Sequence, residues 1–156
     1  MKEELLITRA EKEDIDNIYA LLKESFGKEA ETYQDFKIPA IIQPKQDFSE
    51  TFSEYIYLKA VLNDKVVAVI RGQVEENICH IGRLAVHPDF QDKGIGTRLL
   101  EKIEEEFAFA KSYELFTGIL SKRNLYFYEK QGYKFSKEKK VNGRLIFYLT
   151  KPNFEE

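Results

Sequence analysis

"HPDFQDKGIGTRLL", His87 to Leu100, joins the end of a strand-like run to the start of a helix-like one. Turn residues come first (His87, Pro88, Asp89), then Gln91, then Gly94 and Gly96, and then the apolar pair Leu99-Leu100. Glycine in a helix interior costs roughly 1 kcal/mol relative to alanine, so two glycines at the mouth of a helix need a reason. A helix N-terminus presents unpaired N–H groups and about half a positive charge. It binds phosphate where no side chain holds the ligand away, and glycine supplies both that access and the tight turn. The stretch is therefore a candidate pyrophosphate cradle, with a glycine turn that binds nothing as the competing reading.

Two better-known phosphate loops fit poorly. A dinucleotide fingerprint needs a third glycine where this chain has Leu99, and it follows an N-terminal βαβ unit. A Walker loop needs Gly-Lys-Ser/Thr, which is missing here.

The flanking patterns set the fold. Upstream, "YIYLKAVL", "VVAVIRGQV" and "ICHIGRLAV" are strand-like runs broken by "NDK" and "EEN". Such short connections predict an antiparallel meander. Downstream, Leu99, Leu100, Ile103 and Phe107 share a helical face, with Glu101, Glu104 and Glu105 expected in water. "YELFTGIL" then reads as a buried strand, "NLYFYEKQG" as a short helix, and Tyr133 to Thr150 as a hairpin on Asn142-Gly143. Toward the N-terminus, Leu5 to Arg9 predicts a strand. Ile15, Ile18, Tyr19, Leu22 and Phe26 predict a helix capped by Gly27. Between Lys28 and Ser53 the pattern weakens to one or two short helices and loops. The expected order is β-α-(α)-β-β-β-α-β-α-β-β, in a single domain over residues 1–156.

Bulk properties narrow the function. With 156 residues and 43% hydrophobic content, the chain suits one domain with a substantial core. A net charge of -3 gives no general attraction to nucleic acid or to an anionic membrane. No apolar run is long enough to span a bilayer, and "MKEELLITRA" lacks the apolar stretch of a signal peptide; the expected location is the cytoplasm. The single cysteine, Cys79, excludes an internal disulfide, and no Cys/His spacing suits a metal.

"RLAVHPDFQDKGIGTRLL" resembles motif A of the GNAT superfamily of N-acetyltransferases, Q/R-x-x-G-x-G/A after a strand ending in L-x-V, with Gln91, Gly94 and Gly96 at the motif positions. "RNLYFYEKQGY", Arg123 to Tyr133, resembles the family's second signature. The element order is similar along nearly the whole chain, except between Lys28 and Ser53. The resemblance implies an α+β fold of α/β/α layers: a mixed, mostly antiparallel sheet of about seven strands, helices on both faces, and a cofactor cleft where the fourth and fifth strands splay.

It also implies acetyl-CoA as co-substrate. Backbone at Leu84 and Val86 would pair with the pantetheine arm, with Ala85 between them in the cofactor site, and the Val86 N–H would polarise the thioester carbonyl. Gln91, Asp92, Lys93, Gly94, Ile95, Gly96 and Thr97 would hold the pyrophosphate. Lys93, Arg98, Lys122 and Arg123 are candidates for the 3′-phosphate, or ordinary surface charges. Tyr128 would protonate or hydrogen-bond the leaving thiolate; its other reading is a core aromatic. Asn124 would bond the CoA arm or cap the short helix. His80 occupies the place of a catalytic base in part of the family and suits that work near neutral pH; a merely hydrogen-bonded strand histidine is the alternative, and Glu75 and Glu76 are weaker candidates. Cys79 reads as an apolar filler rather than a nucleophile.

The implied activity is direct acetyl transfer to a primary amine of a small molecule or peptide, by a monomer or a homodimer. A non-catalytic acyl-CoA sensor and a general nucleotide-binding domain are the alternatives. Acids and aromatics in the Lys28–Ser53 segment suggest a cationic acceptor such as a polyamine, an aminoglycoside or a basic peptide terminus.

Overall fold

The computed structural model describes residues 4–154, which form one seven-stranded sheet with helices on both faces. The elements are β1 (Leu6–Arg9), α1 (Ile15–Tyr33), α2 (Pro39–Ile42), α3 (Lys45–Thr51), β2 (Ile56–Leu62), β3 (Lys65–Glu75), β4 (Ile78–Val86), α4 (Ile95–Glu106), β5 (Ser112–Gly118), α5 (Lys122–Lys130), β6 (Lys134–Val141) and β7 (Arg144–Pro152). Strands run in the order β1-β2-β3-β4-β5-β7-β6. Every pairing is antiparallel except β4 with β5.

Three two-residue turns place both central residues in the left-handed region: Asn63-Asp64 (φ 50° and 61°), Glu76-Asn77 (52° and 68°) and Asn142-Gly143 (53° and 76°). That backbone matches the twist of the flanking strands, which is why Asn, Asp and Gly recur there. The Tyr133–Thr150 hairpin forms as expected, and β6 becomes the sheet edge. Its row of Lys134, Lys137, Lys139 and Lys140 makes that edge poorly suited to adding another strand.

The sheet buries a layer on each face. On one side Ile18, Leu21 and Leu22 of α1 and Phe48 of α3 pack on Tyr57, Val69 and Ala85. On the other, Leu99, Leu100, Ile103 and Phe107 of the α4 region cover Leu58, Ala68, Ile70, Ile81 and Leu115. The apolar face expected for α4 is thus the buried one.

Two local expectations are corrected. Gly27 does not end α1; the helix continues to Tyr33 and closes on Gln34, left-handed at φ 54°. The extra turns bury Ala30 against Ile38 and Ala40, a gain that outweighs the roughly 1 kcal/mol of an interior glycine. Glu104 does not face water either. It sits under β7 and the end of α5, where Lys151 Nζ lies 2.9 Å from its carboxylate and the Tyr133 hydroxyl donates to it at 2.8 Å.

Candidate functional site

The site begins with a break in β4. Val69 faces Ala85 and Arg71 faces Gly82, so Ile70 stands opposite two residues, Arg83 and Leu84. This bulge bends and twists the strand, and it holds Arg83 in the left-handed region at φ 52°. On its other edge β4 pairs with β5 only through Ile78, Cys79 and His80, opposite Ser112, Tyr113 and Glu114. Beyond His80 the two strands part, and the opening is the cleft expected between the fourth and fifth strands.

Backbone alternation decides what β4 offers to that cleft. His87 donates its N–H to the Val67 carbonyl at 2.8 Å, so the polar groups of Val86, one residue earlier, point away from β3. The Val86 carbonyl already accepts from Ser25 Oγ and Gln91 Nε2, each at 3.2 Å. Its N–H is left facing the open side of the strand. Only the donor half of Val86 is therefore available to a ligand, which narrows the role expected for it.

The glycine loop follows. The first helical bond of α4 is donated by Arg98 N–H to Gly94 at 3.2 Å, so the N–H groups of Ile95, Gly96 and Thr97 belong to the unpaired first turn. Gly94 has φ 79°, and a Cβ there would meet nothing within 4 Å. Gly96 differs: its Cβ would lie 3.4 Å from Phe127 Cζ, tight against α5. The two glycines therefore have separate jobs. Gly94 makes the turn and leaves the cleft side bare, while Gly96 lets α4 pack on α5. Arg123 braces the loop from outside, donating to Gln91 Oε1 at 2.9 Å and Asp92 Oδ1 at 2.8 Å. That commits Arg123 to the loop itself, whereas Lys93, Arg98 and Lys122 stay exposed.

Two cavities meet at this point. One, of about 460 Å³, runs along Leu84, Ala85, Val86, Gln91, Gly94, Ile95, Gly96 and Thr97 to α5. The other, of about 370 Å³, lies between α1 and α2 on one side and β3, β4, β5 and β7 on the other. Phe26, Glu29, Leu84, Asn124 and Tyr128 line both. A bare glycine turn, a free helix N-terminus and a cleft between diverging strands suit an extended ligand carrying phosphate.

Tyr128 is half-buried at the junction, its ring edge-on to Phe127 and to Tyr133 at 5.3 and 6.2 Å. Among the described residues its hydroxyl has no hydrogen-bond partner. Burial, and secondarily the charge of Glu29, push its pKa well above the usual phenol value, so it remains a proton-bearing donor at neutral pH. Asn124 is not the cap of α5; that position belongs to Ser121. Asn124 instead donates from Nδ2 to Glu29 Oε1 at 2.9 Å. Glu29, mostly buried, has its carboxyl raised above the ordinary range, chiefly by desolvation. In the sequence Glu29 is only one of the acids of the Lys28–Ser53 segment, because nothing along the chain shows that α1 extends past Gly27 and carries it into the junction.

His80 lines the smaller cavity, with Nδ1 3.3 Å from Glu114 Oε1. Glu75 and Glu76 lie exposed at the far turn, away from both cavities. Cys79 is fully buried, and burial pushes its thiol up to about 12, which leaves it without nucleophilic character at neutral pH.

Of the acids of the Lys28–Ser53 segment, expected to mark a cationic acceptor, Glu29 lines the cavities and the others do not. Glu31, Asp47 and Glu50 are exposed, and Asp35 is buried against Arg144, 2.8 Å from its Nε. The smaller cavity instead carries Arg71, Arg83 and Arg144. Among the described residues no group of His, Cys, Asp and Glu is arranged to hold a metal, and no helix is long and apolar enough to cross a membrane.

A family model described as the acetyltransferase (GNAT) family matches residues 15–133. The chain belongs to that family. Its fold agrees: the ribosomal-protein-S18-alanine N-acetyltransferase of Escherichia coli superposes with a TM-score of 0.80 at 17% identity, covering 98% of this chain and 96% of that one. The PaiA N-acetyltransferase of Thermoplasma acidophilum, solved in complex with coenzyme A, gives 0.78 at 18% identity, covering 96% and 99%. A GNAT acetyltransferase of Elizabethkingia anophelis, solved with acetyl-CoA bound, gives 0.73 at 19% identity, covering 97% and 99%. Among curated proteins no sequence is significantly similar. The family fixes acetyl transfer as the general chemistry.

Proposed function

We propose that the protein is an acetyl-CoA-dependent N-acetyltransferase that acts on a primary amine of a small molecule or peptide. The observation that supports this most is the junction of two cavities at Tyr128: one has the backbone of a phosphate site, the other is lined by titratable side chains. Acetyl-CoA, held by the N–H groups of the α4 first turn and along Leu84 to Val86, supplies an acetyl group activated as a thioester. The Val86 N–H stands as donor toward the cleft, where negative charge on the acetyl oxygen would be stabilised. His80, held by Glu114, takes the proton that the amine must lose, directly or through water. Tyr128 donates a hydrogen bond to the departing sulfur. Its raised pKa makes it a poor source of a free proton and a dependable donor. Phe26 and Leu84 give the junction an apolar wall.

Thermal unfolding with and without acetyl-CoA, beside NAD and ATP, tests the first half. Ligand at 100 times its dissociation constant adds about 2.7 kcal/mol, which raises the midpoint of a domain this size by about 5–10 °C. Release of CoA thiol over an amine panel tests the second half. Tyr128→Phe should lower kcat by about 10²-fold while leaving acetyl-CoA affinity within a few-fold. No shift with acetyl-CoA, or full activity in Tyr128→Phe, would overturn the respective half.

A further inference from the structure

The smaller cavity holds two guanidiniums that, among the described residues, form no ion pair. At its wall Arg144 pairs with Asp35, and His80 Nδ1 lies 3.3 Å from Glu114 Oε1. Glu29 is engaged by Asn124. Arg71 donates to the Tyr57 hydroxyl at 3.1 Å and stacks 3.8 Å over the Tyr55 ring. Arg83 reaches only Gln43 Oε1, at 3.3 Å, and its Nε is buried with no acceptor. Among the described residues neither Arg71 nor Arg83 pairs with a carboxylate.

Both arginines are held where they stand. Arg71 is clamped between Tyr55 and Tyr57, and Arg83 is fixed by the bulge in a left-handed conformation that a β-carbon disfavours. Backbone strain of this kind costs about 1–3 kcal/mol and persists where the surrounding structure enforces it, commonly at ligand sites. Burial lowers the Arg83 guanidinium to about 10, with the charge of Arg71 adding to the effect and Tyr57, Tyr55 and the more distant Asp47 opposing it; it remains charged at neutral pH. Two like charges facing one cavity, one with an orphaned donor, form a receptor for an oxyanion. A planar guanidinium fork favours a carboxylate, which it can meet with two parallel hydrogen bonds.

We infer that the acceptor of this enzyme is a small amino-carboxylate, whose carboxylate is bound by Arg71 and Arg83 while its amine lies toward His80 and Tyr128. The inference rests on the acetyl-transfer reading and specifies its substrate class. A cavity of about 370 Å³ holds a molecule of amino-acid size. Phe116 and Tyr148, tilted rings 5.6 Å apart, line the same space and offer an apolar wall for the rest of the acceptor. At the end of the cavity that holds Arg71 and Arg83, their charge disfavours a second ammonium group of the kind a polyamine carries, the class suggested by the acids of the Lys28–Ser53 segment.

The test compares L-amino acids with their carboxamides and decarboxylated amines, one by one, by release of CoA thiol from acetyl-CoA. The expected result is a kcat/KM at least tenfold higher for the acid than for its amide, and Arg71→Gln and Arg83→Gln should each raise KM for the acid about tenfold. Acetyl-CoA affinity should be unchanged in both variants. Calorimetry of N-acetyl amino acids and N-acetyl amides against the CoA complex reads the same preference without turnover, and should show tighter binding of the acids. Equal or better use of amides, or equal binding of the two products, overturns the inference alone. Failure of the wild-type protein to bind acetyl-CoA overturns the acetyl-transfer reading and the inference with it.

Discussion

Gly94 and Gly96 stand two residues apart in the motif, yet their surroundings predict opposite results on substitution. Gly94 sits at φ 79° with open space where a Cβ would go. An alanine there meets no clash and pays only for its backbone, about 1–2 kcal/mol for an L-residue in the left-handed region. Part of this, about 0.4–1 kcal/mol, is offset because alanine also restricts the unfolded chain. The net loss is roughly 1 kcal/mol, or a fall of about 2–4 °C in the melting midpoint of a 156-residue domain. Asparagine tolerates that backbone region better, so Gly94→Asn should melt closer to wild type while placing a larger group at the mouth of the cleft. Gly96 is already helical, and alanine there gains up to about 1 kcal/mol in propensity, set against a 3.4 Å approach to Phe127 that needs only a small shift. Its midpoint should stay within about 3 °C of wild type. Acetyl-CoA titration of all three variants then separates the roles. Gly94→Asn should lose at least tenfold in affinity, and Gly96→Ala no more than a few-fold. Wild-type affinity in Gly94→Asn would refute the assignment of Gly94 to the cofactor side, and a large loss in Gly96→Ala would show that both glycines serve it.

Two further perturbations probe the walls of the site. Arg144→Met leaves Asp35 buried without its cation, a change that costs about 3–5 kcal/mol. Thermal melts should fall by about 6–20 °C, and adding Asp35→Asn should recover much of the loss; a melt unchanged by Arg144→Met would mean that Asp35 is hydrated. Glu29 has a raised carboxyl pKa, so the folded state holds its proton more tightly than the unfolded state does. Its contribution to stability is therefore complete below the unfolded value of 4.5 and is lost as pH rises through the folded value. Glu29→Gln, which keeps the acceptor for Asn124, should melt higher than wild type at pH 8 and no higher at pH 4. A melting difference that does not vary with pH would refute the cause assigned to the shift.

The chain order of the elements was legible because local chemistry decides it. Alternating apolar residues between Asn, Asp and Gly turns leave β2, β3 and β4 little choice but a meander, and the spacing of Leu99, Leu100, Ile103 and Phe107 admits only an amphipathic helix. The same holds for the loop: glycines before such a helix mark a helix N-terminus open to phosphate, whatever the rest of the fold does. Gly27 was misread for a physical reason. A glycine that follows a well-patterned helix looks like its cap, and only the packing of Ala30 on Ile38 and Ala40 shows that the helix goes on. Once it does, Glu29 arrives beside Tyr128 and Asn124, which neither its neighbours nor its spacing could indicate.

Acceptor chemistry depended still more on tertiary placement. The acids between Lys28 and Ser53 are numerous in the sequence, but most turn to solvent, and Asp35 is spent on Arg144 from 109 residues away. Arg71 and Arg83 look like ordinary strand residues in one dimension. The bulge that leaves Ile70 opposite two residues is what turns Arg83 into the cavity beside Arg71. By itself the sequence determined the order of strands and helices, the layered sheet and the glycine turn that opens α4, because each follows from periodicity and backbone preference within short windows. Which charges face one another across the cavity was decided only when β3, β4, β5 and α1 came together, because charge complementarity depends on distances that the chain does not have until it folds.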